Sequence, residues 1–262
     1  MSDARRQEIL DIARESGQLV VDALAERFGV TPQTIRKDLN LLCEARLLTR
    51  THGGAKLTSR VENMSHEARR MLASEAKQAI AHAVADLVPD DASLFINVGT
   101  TNEAIAQALL QHERLLVVTN NLTVASMMRP YAQNKVLIAP GEVRSSDGAV
   151  VGEAAVDFVA QFKVDFAIVG ASAIDERGSL LDYDYREVRV AQAIIENARH
   201  VILAADASKH ERAAPVRIAH VSQVHSFVTD RCPTRAFRKL LDGFEVRTIE
   251  TARRGGGRVD PG

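Results

Sequence analysis

The stretch Gly29-Val30-Thr31-Pro32-Gln33-Thr34-Ile35-Arg36-Lys37-Asp38-Leu39-Asn40-Leu41-Leu42 decides how this chain is read. Gly29-Val30 breaks a preceding helix and Thr31-Pro32 starts another. A threonine hydroxyl caps free amide groups, and proline fits the first helical position. Ile35, Leu39 and Leu42 recur at i, i+4 and i+7, the spacing of one helical face. That face must turn inward. Gln33, Thr34, Arg36, Lys37 and Asn40 are left for solvent, or for something negative.

Upstream, residues 4–16 predict a helix with Ile9, Ile12 and Ala13 on one stripe. Val21–Phe28 predicts a shorter helix carrying Leu24, Ala25 and Phe28 on one face. Downstream, residues 47–51 and 55–57 flank His52-Gly53-Gly54, the pattern of a β-hairpin. Helix, short helix, tight break, helix, hairpin is the winged helix-turn-helix order. It suits duplex DNA, whose major groove admits one helix and displays base-specific donors and acceptors. The expected DNA contacts are Thr31, Gln33, Thr34, Arg36 and Lys37 at the exposed helix, with Arg50, His52 and Lys56 on the wing. Asp38 would repel phosphate and is expected to orient a neighbouring Arg or Lys. The plainer alternative is a small helical bundle with a solvated basic face.

Charge supports the first reading. The whole chain carries a net charge of -1. Residues 33–60 hold Arg36, Lys37, Arg46, Arg50, Lys56 and Arg60 against only Asp38 and Glu44. Local positive charge is what a DNA-contacting element needs. The first 60 residues contain one aromatic, Phe28, which disfavours a single-strand binder built on stacking. With 262 residues, two domains are expected at about 150 residues each. No apolar stretch approaches the ~18–20 residues that span a bilayer. The start, Met1 to Leu10, has no apolar signal region, so a cytoplasmic protein is expected. Cys43 and Cys232 make neither a disulfide framework nor a zinc pattern. No metal and no cofactor is expected.

Residues 58–66 are polar and aperiodic, and a helix is expected over 67–87, ended by Val88-Pro89. Short apolar runs then alternate with helical stretches: 94–97, 115–118, 136–138, 166–169, 201–203 and 227–228. Such runs predict buried, mostly parallel strands, hence an α/β domain layered helix–sheet–helix. The expected boundaries are 1–57 for the DNA-binding domain, 58–74 for a linker and the start of a connecting helix, 75–250 for the α/β domain, and 251–262 for a flexible tail.

In open parallel sheets ligands sit at the carboxyl ends of strands. Gly99-Thr100-Thr101 follows one strand and opens a helix, so its amide groups and hydroxyls can cradle an anion. Asn120 ends the next strand. Lys209, in Asp206-Ala207-Ser208-Lys209, supplies an ammonium after another. Asp184, Arg186 and Glu187 precede a helix, where ordinary N-terminal charge is the alternative. An anion loop, a cation and hydroxyl-binding carboxylates together suit a small phosphorylated polyol or sugar.

At these residues the chain resembles the DeoR family of bacterial transcriptional regulators. Residues 22–39 and the closing Thr51-His52-Gly53-Gly54-Ala55 carry the likeness in the first domain. Gly99-Thr100-Thr101, Val118-Thr119-Asn120, Gly170-Ala171 with Ile174-Asp175, and Asp206 to Lys209 carry it in the second. The resemblance implies a sensor domain similar in fold to ribose-5-phosphate isomerase. Residues 141–148, 151–154, 157–158, 178–181, 184–185, 187–189 and 193–197 are similar to members that respond to glycerol 3-phosphate. It thus implies a repressor of glycerol-metabolism genes, a homo-oligomer (dimer or tetramer) on double-stranded operator DNA, released by glycerol 3-phosphate. The implied effector residues are Gly99, Thr100, Thr101, Asn120, Gly141, Arg144, Gly170, Ser172, Asp184, Glu187 and Lys209. A regulator answering to another sugar or polyol phosphate is the alternative. The family commonly has Phe-Gly-Arg after Ser-Lys, where this chain has His210-Glu211-Arg212. An active isomerase is disfavoured, because proton abstraction needs a carboxylate base and Ser172 follows Gly170-Ala171 here.

Overall fold

The computed structural model describes residues 2–16, 18–44, 47–51, 53–57 and 72–251. His52, most of the expected linker (58–71) and the expected tail from 252 onward lie outside the described residues. The chain divides into two compact units, residues 1–74 and 75–262.

The first unit runs α1 (Ser2–Ser16), β1 (Gln18–Val20), α2 (Val21–Phe28), α3 (Pro32–Glu44), β2 (Leu48–Thr51) and β3 (Gly54–Leu57). The expected helical faces meet in one core: Ile9, Leu10 and Ala13 of α1, Leu24 of α2, and Ile35, Leu39 and Leu42 of α3. Full burial of each large aliphatic chain contributes roughly 1.5–3 kcal/mol. The hairpin β2–β3 is antiparallel as expected. Its third strand, β1, was not foreseen: it pairs antiparallel with β3, Leu19 opposite Ala55. This pairing explains the glycine pair. Gly53 turns the hairpin at φ +80, while a Cβ on Gly54 would stand 1.8 Å from the Leu19 carbonyl oxygen. Asp38 is buried on α3 and accepts a 2.7 Å hydrogen bond from Arg5 Nε of α1. The carboxylate therefore ties two helices together and leaves the outer face of α3 to basic groups.

The second unit is built on a seven-stranded, wholly parallel sheet in the order β15-β14-β12-β9-β4-β5-β6. The strands are β4 (Ser93–Ile96), β5 (Leu116–Thr119), β6 (Lys135–Ile138), β9 (Val164–Val169), β12 (Ala198–Ala204), β14 (Ser226–Thr229) and β15 (Arg247–Glu250). Successive side chains leave a strand on opposite faces, and both faces are buried. Leu94, Ile96, Val117, Ile168 and Ile202 enter a core with helices α4 (Ser74–Ala85), α5 (Thr100–Ala108) and α6 (Leu122–Met128). Phe95, Val118, Ala167, Val169 and Leu203 enter another with α7 (Glu153–Val159), α8 (Tyr185–Glu196) and α9 (Arg235–Gly243). Such strands read as continuous apolar runs, which is why they were legible.

Two expectations need correction. The helix expected over 67–87 is described only from Ser74 to Ala85. Ala73 sits at φ 52, outside helical geometry, and Pro89 pushes the residue before it out of the helical region. The second unit also holds small antiparallel pieces that were not expected. A two-stranded piece joins β7 (Glu142–Val143) and β8 (Val150–Val151). A three-stranded piece joins β10 (Ala173–Ile174), β11 (Ser179–Asp182) and β13 (Val216–His220).

From β4 the chain winds to β5 and β6 on one side, then returns to β9, β12, β14 and β15 on the other. The winding reverses between β4 and β9. A crevice opens at the carboxyl ends of the strands at such a switch point.

Candidate DNA-binding face and effector site

On α3, Gln33, Arg36, Lys37 and Asn40 are exposed and Thr34 is half-buried, while Ile35 and Leu39 are fully buried. Thr31 caps the helix: its Oγ1 accepts from the Thr34 amide at 3.2 Å and pairs with the Thr34 hydroxyl at 2.9 Å. Among the described residues no carboxylate pairs with Arg36, Lys37 or Lys56. Arg50 departs from expectation. Its guanidinium donates to Asn40 Oδ1 and to the Arg36 carbonyl, so it fastens the wing to α3. The face thus presents Gln33, Thr34, Arg36 and Lys37 from the helix and Lys56 from the wing.

In the second unit, the loops after β4, β5, β9 and β12, four adjacent strands, bring Gly99-Thr100-Thr101, Asn120, Gly170-Ala171-Ser172 and Lys209 to one end of the sheet. Gly99 turns off β4 at φ 133, a conformation that side-chain-bearing residues rarely adopt. Thr100 and Thr101 open α5 and are buried. The first amides of a helix have no partner within it and favour an anion. The Thr119 hydroxyl donates to the Ile96 carbonyl at 2.6 Å, locking β5 against β4. Asn120 Nδ2 donates to the Val150 carbonyl at 3.3 Å.

Lys209 is buried in the turn after β12. Burial alone would raise the Asp206 carboxyl, but Lys209, the Ser208 hydrogen bond, Lys77 and Arg212 hold it below the usual carboxylate range. Lys77 of α4 is a functional candidate that the sequence reading missed. On a helical pattern it reads as a surface lysine, yet it is only 5% exposed. Two buried ammonium groups therefore act on this strand end. Asn102 was missed as well. It lies in the first turn of α5, 1% exposed, with its amide nitrogen donating to the carbonyls of Asn97 and Val98.

The residues expected to take hydroxyl groups meet in an ion-pair cluster around Arg144. Arg144 donates to Asp147 through both Nε (2.8 Å) and Nη2 (2.6 Å). It also reaches Asp184 at 2.8 Å and Glu187 at 2.5 Å. Asp184 caps α8 through the Arg186 amide. Asp184 and Glu187, expected to face the ligand, are both engaged by this largely buried guanidinium, for which acidic partners are the usual requirement. Glu187 is pushed up to about 7, chiefly by burial, with Asp182 raising it further and Arg144 opposing. The cluster joins the β7–β8 loop to the start of α8. At its edge Gly141 passes close to β8: a Cβ there would lie 2.7 Å from the Val151 carbonyl oxygen. Ser172 donates to Asp182 Oδ2 at 2.9 Å, and Asp182 also accepts the Tyr183 amide.

His210 fills an aromatic slot. Its ring stands 4.6 Å from Phe237 and 6.4 Å from Phe227, both edge-on. Burial pushes its pKa down to about 4, so it is neutral at pH 7 and adds no charge beside Lys209.

Residues 5–61 match the model of the DeoR-like helix-turn-helix domain, and residues 72–231 that of the DeoR C-terminal sensor domain. The chain belongs to the DeoR family. This DeoR-family chain is 44% identical to the glycerol-3-phosphate regulon repressor of Escherichia coli K12, over 93% of its own length and 96% of that protein's. It is 48% identical to the protein of the same name in Haemophilus influenzae, over 87% of its own length and 89% of the relative's. Ribose 5-phosphate isomerase A of Neisseria gonorrhoeae is similar over 54% of each chain, with 14% identity and a TM-score of 0.39. At that distance the likeness says nothing of ligand or chemistry. No helix among the described residues is long and apolar enough to cross a membrane.

Proposed function

We propose that this DeoR-family protein represses genes of glycerol and glycerol 3-phosphate metabolism and leaves its operator when glycerol 3-phosphate binds the second unit. The observation that carries the reading is identity of 44% and 48% to two glycerol-3-phosphate regulon repressors over nearly the whole chain. Gln33, Thr34, Arg36 and Lys37 enter the major groove of double-stranded DNA, with Thr31 capping their helix. Lys56 and His52 take phosphates from the wing, which Arg50 braces.

The phosphate of the effector rests on the Thr100 and Thr101 end of α5, beside Gly99 and Gly170, with Lys209 and Lys77 supplying positive charge. Asn120 lies beside them, and Ser172 lines the β9 side. Arg144, Asp184 and Glu187 fix the loop that starts at Gly141. The working boundaries are 1–57 for DNA, 58–74 for the connection, 75–250 for sensing and 251–262 for a tail. The reading includes a cytoplasmic homo-oligomer, dimer or tetramer; its support is that such domains read paired half-sites about 34 Å apart or at multiples of that spacing.

The test is binding to a glycerol-operon promoter fragment at fixed salt, titrated with glycerol 3-phosphate, glycerol and ribose 5-phosphate. Release by glycerol 3-phosphate alone is expected. Tight binding that none of the three releases would leave a DNA-binding protein with a different effector.

A further inference from the structure

Two buried side-chain oxygens at this strand end have no partner. Asn102 Oδ1 and Asn120 Oδ1 are inaccessible to solvent and accept no hydrogen bond. Neither amide can turn round to hide the fact. Asn102 Nδ2 is held by two carbonyls, Asn97 at 3.0 Å and Val98 at 3.1 Å, and Asn120 Nδ2 by Val150. Flipping either would set carbonyl against carbonyl. Their oxygens are therefore fixed acceptors waiting for donors. A buried polar atom left unpaired is rare and needs a reason.

Placement supplies one. Asn102 stands over the switch point, where a Cβ on Gly170 would lie 3.9 Å from its Oδ1 and a Cβ on Gly99 would lie 3.7 Å from its Nδ2. Both loops therefore come within ordinary contact range of the Asn102 amide. Asn120 follows β5, the neighbour of β4 on the other side. The two acceptors thus flank the Gly99-Thr100-Thr101 turn, one toward β9 and one at β5. Below them, Thr100 and Thr101 start a helix whose free amides suit an anion.

We propose that Asn102 and Asn120 are the hydroxyl-recognising half of the effector site, and that they make it select an alcohol over the matching ketone. This rests on the effector reading above. A polyol phosphate carries O–H donors next to its phosphate, and each donor can satisfy one fixed acceptor. Oxidising that carbon to a ketone removes the donor and turns a lone pair toward the asparagine oxygen. The regulator then responds to glycerol 3-phosphate and ignores dihydroxyacetone phosphate, its oxidation product. Sites built to hydrogen-bond a hydroxyl discriminate strongly against analogues that lack it, because the buried acceptor is stranded.

Calorimetric titration of the full chain with glycerol 3-phosphate, dihydroxyacetone phosphate and inorganic phosphate tests this. The alcohol should bind about tenfold or more tightly than the ketone. In Asn102→Ala that ratio should shrink to within about threefold, through weaker alcohol binding, while inorganic phosphate binds as before. Asn120→Ala, measured independently, should also narrow the ratio, which keeps the test alive if Asn102→Ala does not fold. Equal binding of alcohol and ketone to the wild type overturns the proposal and leaves the effector reading standing. So does a uniform weakening of all three ligands in the variants, which would mark both asparagines as structural. Absence of glycerol 3-phosphate binding to the wild type overturns the effector reading itself and this proposal with it.

Discussion

Arg144 holds together the charges around it. One guanidinium faces Asp147, Asp184 and Glu187, and the charge of Asp182 also acts on Glu187. Burial first, and then the neighbouring carboxylates, make Glu187 costly to ionise, and its pKa is pushed up to about 7. The unfolded chain releases that proton in the ordinary carboxylate range. Between the two, the native state binds more protons, so stability from this group is greatest at low pH and is lost as pH rises to about 7. Glu187→Gln keeps an acceptor for Arg144 and removes the titration. Its melting temperature relative to wild type should rise by a few degrees from pH 5 to pH 8, since about 1 kcal/mol moves a domain of this size by about 2–4 °C. A difference that stays flat across this range would show that Glu187 ionises normally. Arg144→Ala should destabilise by about 3 kcal/mol, read from chemical denaturation, because it strands buried carboxylates. None of this was visible in the sequence. Asp184 and Glu187 stand three apart before a helix, and nothing local says that a loop arginine 40 residues away claims both. Lys77 and Asn102 were missed for a related reason: burial of a polar residue is decided by tertiary packing, which no local pattern records.

At the scale of elements, legibility followed length and burial. The helix α3 was read from Ile35, Leu39 and Leu42, and all are buried at 2% exposure or less. The strands β4, β5, β9 and β12 were read as apolar runs because both of their faces are covered. β1 was missed, being three residues long with Val20 exposed. β15 was missed because Arg247-Thr248-Ile249-Glu250 lies at the sheet edge and carries little apolar signal. In the proposed function the helix specifies sequence, and the wing supplies charge. Arg36→Ala should therefore lower operator affinity by about 1–3 kcal/mol and leave glycerol 3-phosphate binding intact. Lys56→Ala should weaken binding to all sequences alike and reduce the slope of log affinity against log salt by about 0.9. Binding measured from low to moderate salt separates them. An unchanged slope in Lys56→Ala would take the wing off the DNA.

For the whole molecule, repression and release are one equilibrium. An effector shifts a protein away from its DNA-binding arrangement only if it binds the other arrangement more tightly. A tenfold loss of operator affinity requires about 1.4 kcal/mol of such preference, within the usual range for coupled sites. In the proposed function that preference arises at the strand end where β4 and β9 part, with Lys209 as a principal cation and the exposed face of α3 as the output. The most direct measurement is the operator-bound fraction at fixed salt as glycerol 3-phosphate is added, for wild type and Lys209→Ala side by side. The two should bind operator equally without effector, wild type should be released, and Lys209→Ala should stay bound at concentrations that free the wild type. Release of Lys209→Ala at the wild-type concentration would contradict this, since the signal would then arise away from the strand-end site.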